Sequence, residues 1–123
     1  MKKILILFFC LISTSIYSFE KENTFTFENF DNAQKAGKTV VINSWNKSCS
    51  TCAKQVKILK NAEKDFKDVV FLSYEQTTND DVAKFLKIDF WTTIVIYKNN
   101  KEISRLIGET NKDLIYSNIK EGT

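Results

Sequence analysis

Two cysteines separated by two residues, Cys49-Ser50-Thr51-Cys52, stand where a buried strand runs into an amphipathic helix, and this fixes one sharp strand-to-helix transition in the chain. Before the pair, Thr39-Val40-Val41-Ile42-Asn43-Ser44-Trp45 is a largely apolar, β-branched run that reads as a buried strand. After it, Val56, Leu59, Ala62 and Phe66 recur at helical spacing, which predicts a helix over Ala53 to Phe66. Cys49 therefore falls at or just before a helix N-terminus. There the unpaired backbone N–H groups and the positive end of the helix dipole favour a thiolate over a thiol, making the sulfur nucleophilic at neutral pH. Cys52 lies one turn further in, placed to attack a mixed disulfide formed on Cys49. A bridge closing so short a loop removes little chain entropy and would be a poor structural staple, so the pair reads as a redox dithiol.

The rest of the chain supplies one α/β domain. Phe25 and Phe27 alternate with Thr24 and Thr26, predicting a short first strand, and a helix from Glu28 stops at Gly37. Val69 to Tyr74 reads as a second buried strand, and Asn79 is placed to cap a short helix carrying Val82, Phe85 and Leu86. Buried strands joined through helices imply parallel pairing. The pattern then changes to an antiparallel hairpin. Thr93 to Tyr97 is one arm, Lys98-Asn99-Asn100-Lys101 a turn whose asparagines tolerate positive φ, and Glu102 to Ile107 the other arm. After Gly108, Thr110-Asn111-Lys112-Asp113 has the look of a capping box before a last helix with Leu114, Ile115 and Ile119.

The first residues have a different character. Lys2 and Lys3 precede the apolar run Ile4 to Ile12, followed by Ser13, Thr14, Ser15 and Ser18. This is the layout of a secretory signal peptide over residues 1–18, cut near Ser18-Phe19 or at Ser15-Ile16, with a domain over 19–123. The apolar run falls short of the roughly 20 residues that a membrane-spanning helix needs. Bulky Phe8 and Phe9 argue against Cys10 as an acylated residue. The leader takes two lysines and no acid with it, so the formal charge of +3 falls to +1, too little to point to nucleic acid. It also takes Cys10, leaving both remaining cysteines in the motif, in a periplasmic or other extracytoplasmic compartment where disulfides persist.

Strand, dithiol at a helix start, parallel crossover, hairpin and closing helix, in this order, resemble the thioredoxin superfamily. Val41 to Lys54 is similar to the thioredoxin active-site segment, with Trp45 at the first of its two tryptophan positions. Tyr97 to Glu102 is similar to its hairpin, and Gly108 matches the glycine after its last strand. The resemblance implies a thioredoxin-like fold, a mixed sheet of four to five strands flanked by helices. It further implies a thiol:disulfide oxidoreductase acting on protein disulfides, as a reductant rather than an oxidant, with Cys49 and Cys52 catalytic and no cofactor. Once exported, a reductant needs a membrane electron donor and an oxidant an acceptor, and the absence of a long exposed apolar helix or heptad points to a monomer. Trp45, Ser48, Ser50, Thr51, Trp91 and Thr92 are the expected site-lining residues, and Lys47 and Lys54 flank the motif.

Four departures from the family pattern stand out. Ser48 replaces the tryptophan beside the first cysteine, and Ser50-Thr51 replaces Gly-Pro. Asn43 takes the position of a buried aspartate, for which Glu75, read as an exposed loop residue, is the candidate substitute. Thr92 aligns with the cis-proline facing the dithiol, in a chain with no proline at all. A cis bond before a non-proline residue costs about 2.5–4 kcal/mol, so Trp91-Thr92 is either a cis bond held by packing or a trans bond that reshapes the substrate edge. A competing function is Cu(I) carriage, since two thiolates suit that soft ion. The absence of histidine weighs against it, as the sole methionine is Met1.

Overall fold

The computed structural model describes residues 23–123, so the leader read over residues 1–18 and its Cys10 lie outside the described residues. In chain order the elements are α1 (Phe27–Lys35), β1 (Val40–Trp45), α2 (Ser50–Asp65), β2 (Val70–Glu75), α3 (Asp80–Leu86), β3 (Thr93–Lys98), β4 (Lys101–Ile107) and α4 (Lys112–Gly122). The strands form one mixed sheet in the order β2-β1-β3-β4. β1 runs parallel to β2, from Val40 opposite Val70 to Trp45 opposite Glu75, and antiparallel to β3. The expected parallel pair and hairpin are thus both present. At the hairpin tip Asn99 and Asn100 both have positive φ, 52° and 61°, as a two-residue turn matched to strand twist requires.

β1 is buried on both faces, which is why it reads as an unbroken apolar run rather than an alternating one. Val40 and Ile42 face a cluster with Phe25, Phe30, Leu72, Tyr74, Leu86 and Val95. Val41 faces the opposite cluster with Leu59, Ala62, Ile94, Ile96, Ile115 and Ile119. Helices α1 and α3 therefore cover one face, and α2 and α4 the other. Each fully buried aliphatic side chain contributes about 1.5–3 kcal/mol relative to exposure. Arg105 on β4 ties the short α3 to the sheet, donating from Nη1 to Lys87 O and from Nη2 to Leu86 O, both at 2.8 Å. A cation there meets the unpaired carbonyls of the helix C-terminus.

Three local expectations are corrected. The first strand shrinks to a single parallel bridge between Thr24 and Ser73, and Phe27 already begins α1. The reason is the Thr26 hydroxyl, which accepts Asn29 N–H at 3.0 Å and starts the helix. The alternating phenylalanines serve packing instead, Phe25 against Phe30 and Tyr74, and Phe27 edge-on to Phe85. At α4 the cap is Asn111, whose Oδ1 accepts Leu114 N–H at 3.1 Å, while Glu109 Oε1 takes the N–H groups of Thr110 and Asn111. Asn79 does precede α3, but its amide donates to Glu75 O rather than capping.

Candidate redox site

The turn between β1 and α2 is set by Asn46, whose Oδ1 accepts Ser48 N–H at 3.0 Å while its carbonyl accepts Cys49 N–H at 3.2 Å. This delivers Cys49 to the N-cap of α2 in an extended conformation, and its Sγ accepts Cys52 N–H at 3.1 Å. A sulfur thus occupies the place where a serine or aspartate oxygen ordinarily caps a helix. No acidic residue lies in the first turn to oppose negative charge on that sulfur. Cys49 and Cys52 are joined as a disulfide with Cα atoms 5.2 Å apart. Cys52 is only 2% exposed whereas Cys49 is half-buried, so an incoming partner meets Cys49 first. Ser48, Ser50, Lys47 and Lys54 are exposed around the motif, and Thr51 is half-buried.

The Trp91-Thr92 segment, expected to face the dithiol, lies between α3 and β3. None of the described peptide bonds is cis, so Trp91-Thr92 is trans, and Thr92 has φ 71°. Left-handed backbone at a β-branched residue costs on the order of 1–3 kcal/mol and persists only where its surroundings hold it. They do so here through three hydrogen bonds. Thr92 N–H donates to Ser44 O at 2.9 Å, and Thr92 O accepts from Gly108 N–H at 2.8 Å and from Gln55 Nε2 at 2.9 Å. The first of these bonds is one that proline has no hydrogen to make. Thr92 is thereby tied to the strand and the helix that bear the dithiol, while Trp91 beside it stays 45% exposed. Trp45 instead lines a cavity of about 930 Å³ shared with Asn43, Leu59, Phe71 and Tyr74, to which neither cysteine contributes.

The thioredoxin family model matches residues 21–121. A thioredoxin from Geodia cydonium is 32% identical over 95 residues, covering 76% of this chain and 90% of that protein. The chain belongs to the thioredoxin family. An H-type thioredoxin of Fagopyrum esculentum is 27% identical, covering 72% of this chain and 77% of that protein. Mitochondrial thioredoxin 3 of Saccharomyces cerevisiae superposes with a TM-score of 0.72 at 24% identity, covering 85% of this chain and 98% of that one. Trxlp from Edwardsiella tarda superposes with a TM-score of 0.73 at 21% identity, covering 76% and 93% of the two chains. With the paired cysteines of that family, the protein is a thiol:disulfide oxidoreductase acting on protein disulfides. Nothing among the relatives favours copper carriage.

Set against the thioredoxin pattern, Asn43 is 2% exposed, and neither atom of its amide has a hydrogen-bond partner among the described residues. A neutral amide cannot take up or release a proton, so this position does not relay one to Cys52. Glu75, the candidate substitute, is engaged by the turn that follows it. It is 9% exposed, not the exposed loop residue expected, because β2 carries it inward and the following turn closes over it. Its Oε1 accepts from Thr77 Oγ1 at 2.6 Å and Asn46 Nδ2 at 3.3 Å, and its Oε2 from Thr78 Oγ1 at 2.7 Å and Thr78 N at 2.8 Å. The hydroxyls of Thr77 and Thr78 hold its carboxyl below the usual carboxylate range, which keeps it ionised and fully engaged.

A stability prediction arises from Glu75. A carboxyl whose folded pKa is depressed contributes stability that is present above its unfolded pKa, about 4.3 for Glu, and is lost as pH falls through the lower folded pKa. Wild type should therefore be more stable than Glu75→Gln at pH 7, with the gap shrinking through acid. Urea unfolding at pH 7 and at stepwise lower pH measures this, and a gap that stays constant with pH would contradict it.

Sequence reasoning missed Gln55. Its side chain is fully buried, and the signal was available: Cys52, Gln55, Leu59 and Ala62 fall on one face of α2, so a polar residue stands in an apolar stripe.

Proposed function

We propose that the protein is an exported reductase of protein disulfides in which Cys49 is the attacking sulfur and Cys52 the resolving one. One observation carries the reading: Cys49 Sγ caps α2 by accepting Cys52 N–H, with Cys52 buried behind it. In the cycle, Cys49 thiolate attacks one sulfur of a partner disulfide, that S–S bond breaks, and the departing sulfur leaves as a thiolate. Cys52, losing its proton to the released thiolate or to water, then attacks Cys49 Sγ. The second partner sulfur departs, leaving two reduced thiols on the partner and the Cys49–Cys52 disulfide here. Ser48, Ser50, Thr51, Trp91 and Thr92 line the approach to Cys49, and Trp45 ends the strand that leads to it.

Similarity to thioredoxins along most of the chain supports the reducing direction. The basic start, short apolar run and small residues of positions 1–18 support export, and an exported reductant draws its electrons from a membrane donor. The test is the reduction potential of the exported form, whose N-terminal sequence should begin at Phe19 or Ile16. Equilibration with dithiothreitol or glutathione buffers should give a value near thioredoxin's approximately −270 mV. A value near −120 mV would reverse the direction, and a pair that forms no reversible disulfide would overturn the roles of both cysteines.

A further inference from the structure

We propose that Gln55 is a positioning residue that holds the substrate edge of the site, fixing the trans Trp91-Thr92 segment to the helix that carries the dithiol. Gln55 lies in α2, three residues beyond Cys52, and its side chain is fully buried. Its Nε2 donates to Thr92 O at 2.9 Å and to Glu109 O at 3.1 Å. One amide group thus joins the helix that carries the dithiol to two loops, the one entering β3 and the one leaving β4.

The choice of residue supports this role. Gln55 Oε1 is buried with no hydrogen-bond partner among the described residues. An unpaired buried acceptor is costly, and an apolar side chain of similar length, such as methionine, would pack in the stripe between Cys52 and Leu59 without it. What the glutamine adds is two donors, and both are used. Without them Thr92 O would keep its bond from Gly108 N–H, and Thr92 N–H its bond to Ser44 O. The segment would stay on the sheet but lose its tie to the dithiol helix. The consequence falls on recognition rather than on sulfur chemistry. An extended partner chain lying along exposed Trp91 must align with Cys49, whereas a small disulfide needs Cys49 alone.

This inference rests on the reductase reading, and its test separates the two. In Gln55→Met, KM for reduction of the insulin disulfides should rise about tenfold with little change in kcat, the signature of lost positioning rather than lost chemistry. Reduction of 5,5′-dithiobis(2-nitrobenzoic acid) and the Cys49–Cys52 reduction potential should be unchanged. Gln55→Ala, which lets water reach both freed carbonyls, repeats the measurement should the methionine variant fail to fold. Equal effects on the two substrates, no effect on either, or a shifted potential would overturn the role of Gln55. A wild-type protein that reduces neither substrate would remove the reductase reading itself, and the positioning role with it.

Discussion

Cys49→Ser should abolish disulfide exchange, lowering kcat/KM by about 10³-fold or more, because a serine hydroxyl stays protonated where the thiolate reacts. Cys52→Ser should behave differently, stopping the cycle at a covalent complex between Cys49 and its partner. The asymmetry follows from geometry. Cys49 is half-buried at the N-cap, its sulfur facing the free N–H groups of α2, whereas Cys52 is 2% exposed and meets only what is already bonded to Cys49. Insulin reduction followed by turbidity measures the first effect, and intact mass of the Cys52→Ser protein after incubation with an oxidised partner detects the second. Retained turnover in Cys49→Ser would reject the assignment, as would a Cys52→Ser protein that forms no adduct.

Restoring the family's proline should damage this chain. Thr92→Pro is expected to lower stability by about 3 kcal/mol or more, since proline fixes φ near −65° and has no N–H. Here φ is 71°, and the N–H donates to Ser44 O, a carbonyl on a fully buried residue of the central strand. Leaving such an acceptor unpaired adds about 1–3 kcal/mol to the steric cost. Thr92→Gly should act in the opposite sense, gaining about 1 kcal/mol, because glycine enters the left-handed region freely and keeps both the N–H and the carbonyl. Urea unfolding midpoints of the three proteins measure both effects. A Thr92→Pro protein as stable as wild type would mean that the segment can adopt the cis form, and that its hydrogen bonds do not fix the trans one.

Much of the fold is legible in the chain because its signals are local. The apolar run at 39–45 reads as a buried strand and the recurrence of Val56, Leu59, Ala62 and Phe66 as a helix, and both are there, as β1 and α2. Asn99-Asn100 specifies its own turn through the one backbone region that it tolerates better than most residues do. The dithiol is equally local, as its chemistry depends on a helix start that the adjacent residues define. Where local signals competed, the reading failed. Alternating Phe25 and Phe27 suggested a strand, but the Thr26 hydroxyl had already committed the chain to a helix.

The amino-acid sequence by itself thus determined the order of elements, the strand-to-helix junction and the placing of Cys49 at the cap. The tertiary structure alone decided how the Trp91-Thr92 segment is held. Thr92 takes a trans, left-handed conformation because groups from β1, α2 and the end of β4 meet it there, contributed by Ser44, Gln55 and Gly108. Glu75 became a buried, fully bonded carboxylate for the same kind of reason, as Asn46, Thr77 and Thr78 close on it from two loops. Hydrogen bonds between residues distant along the chain leave no periodic trace in it, so these conformations become visible only once the sheet has brought the partners together.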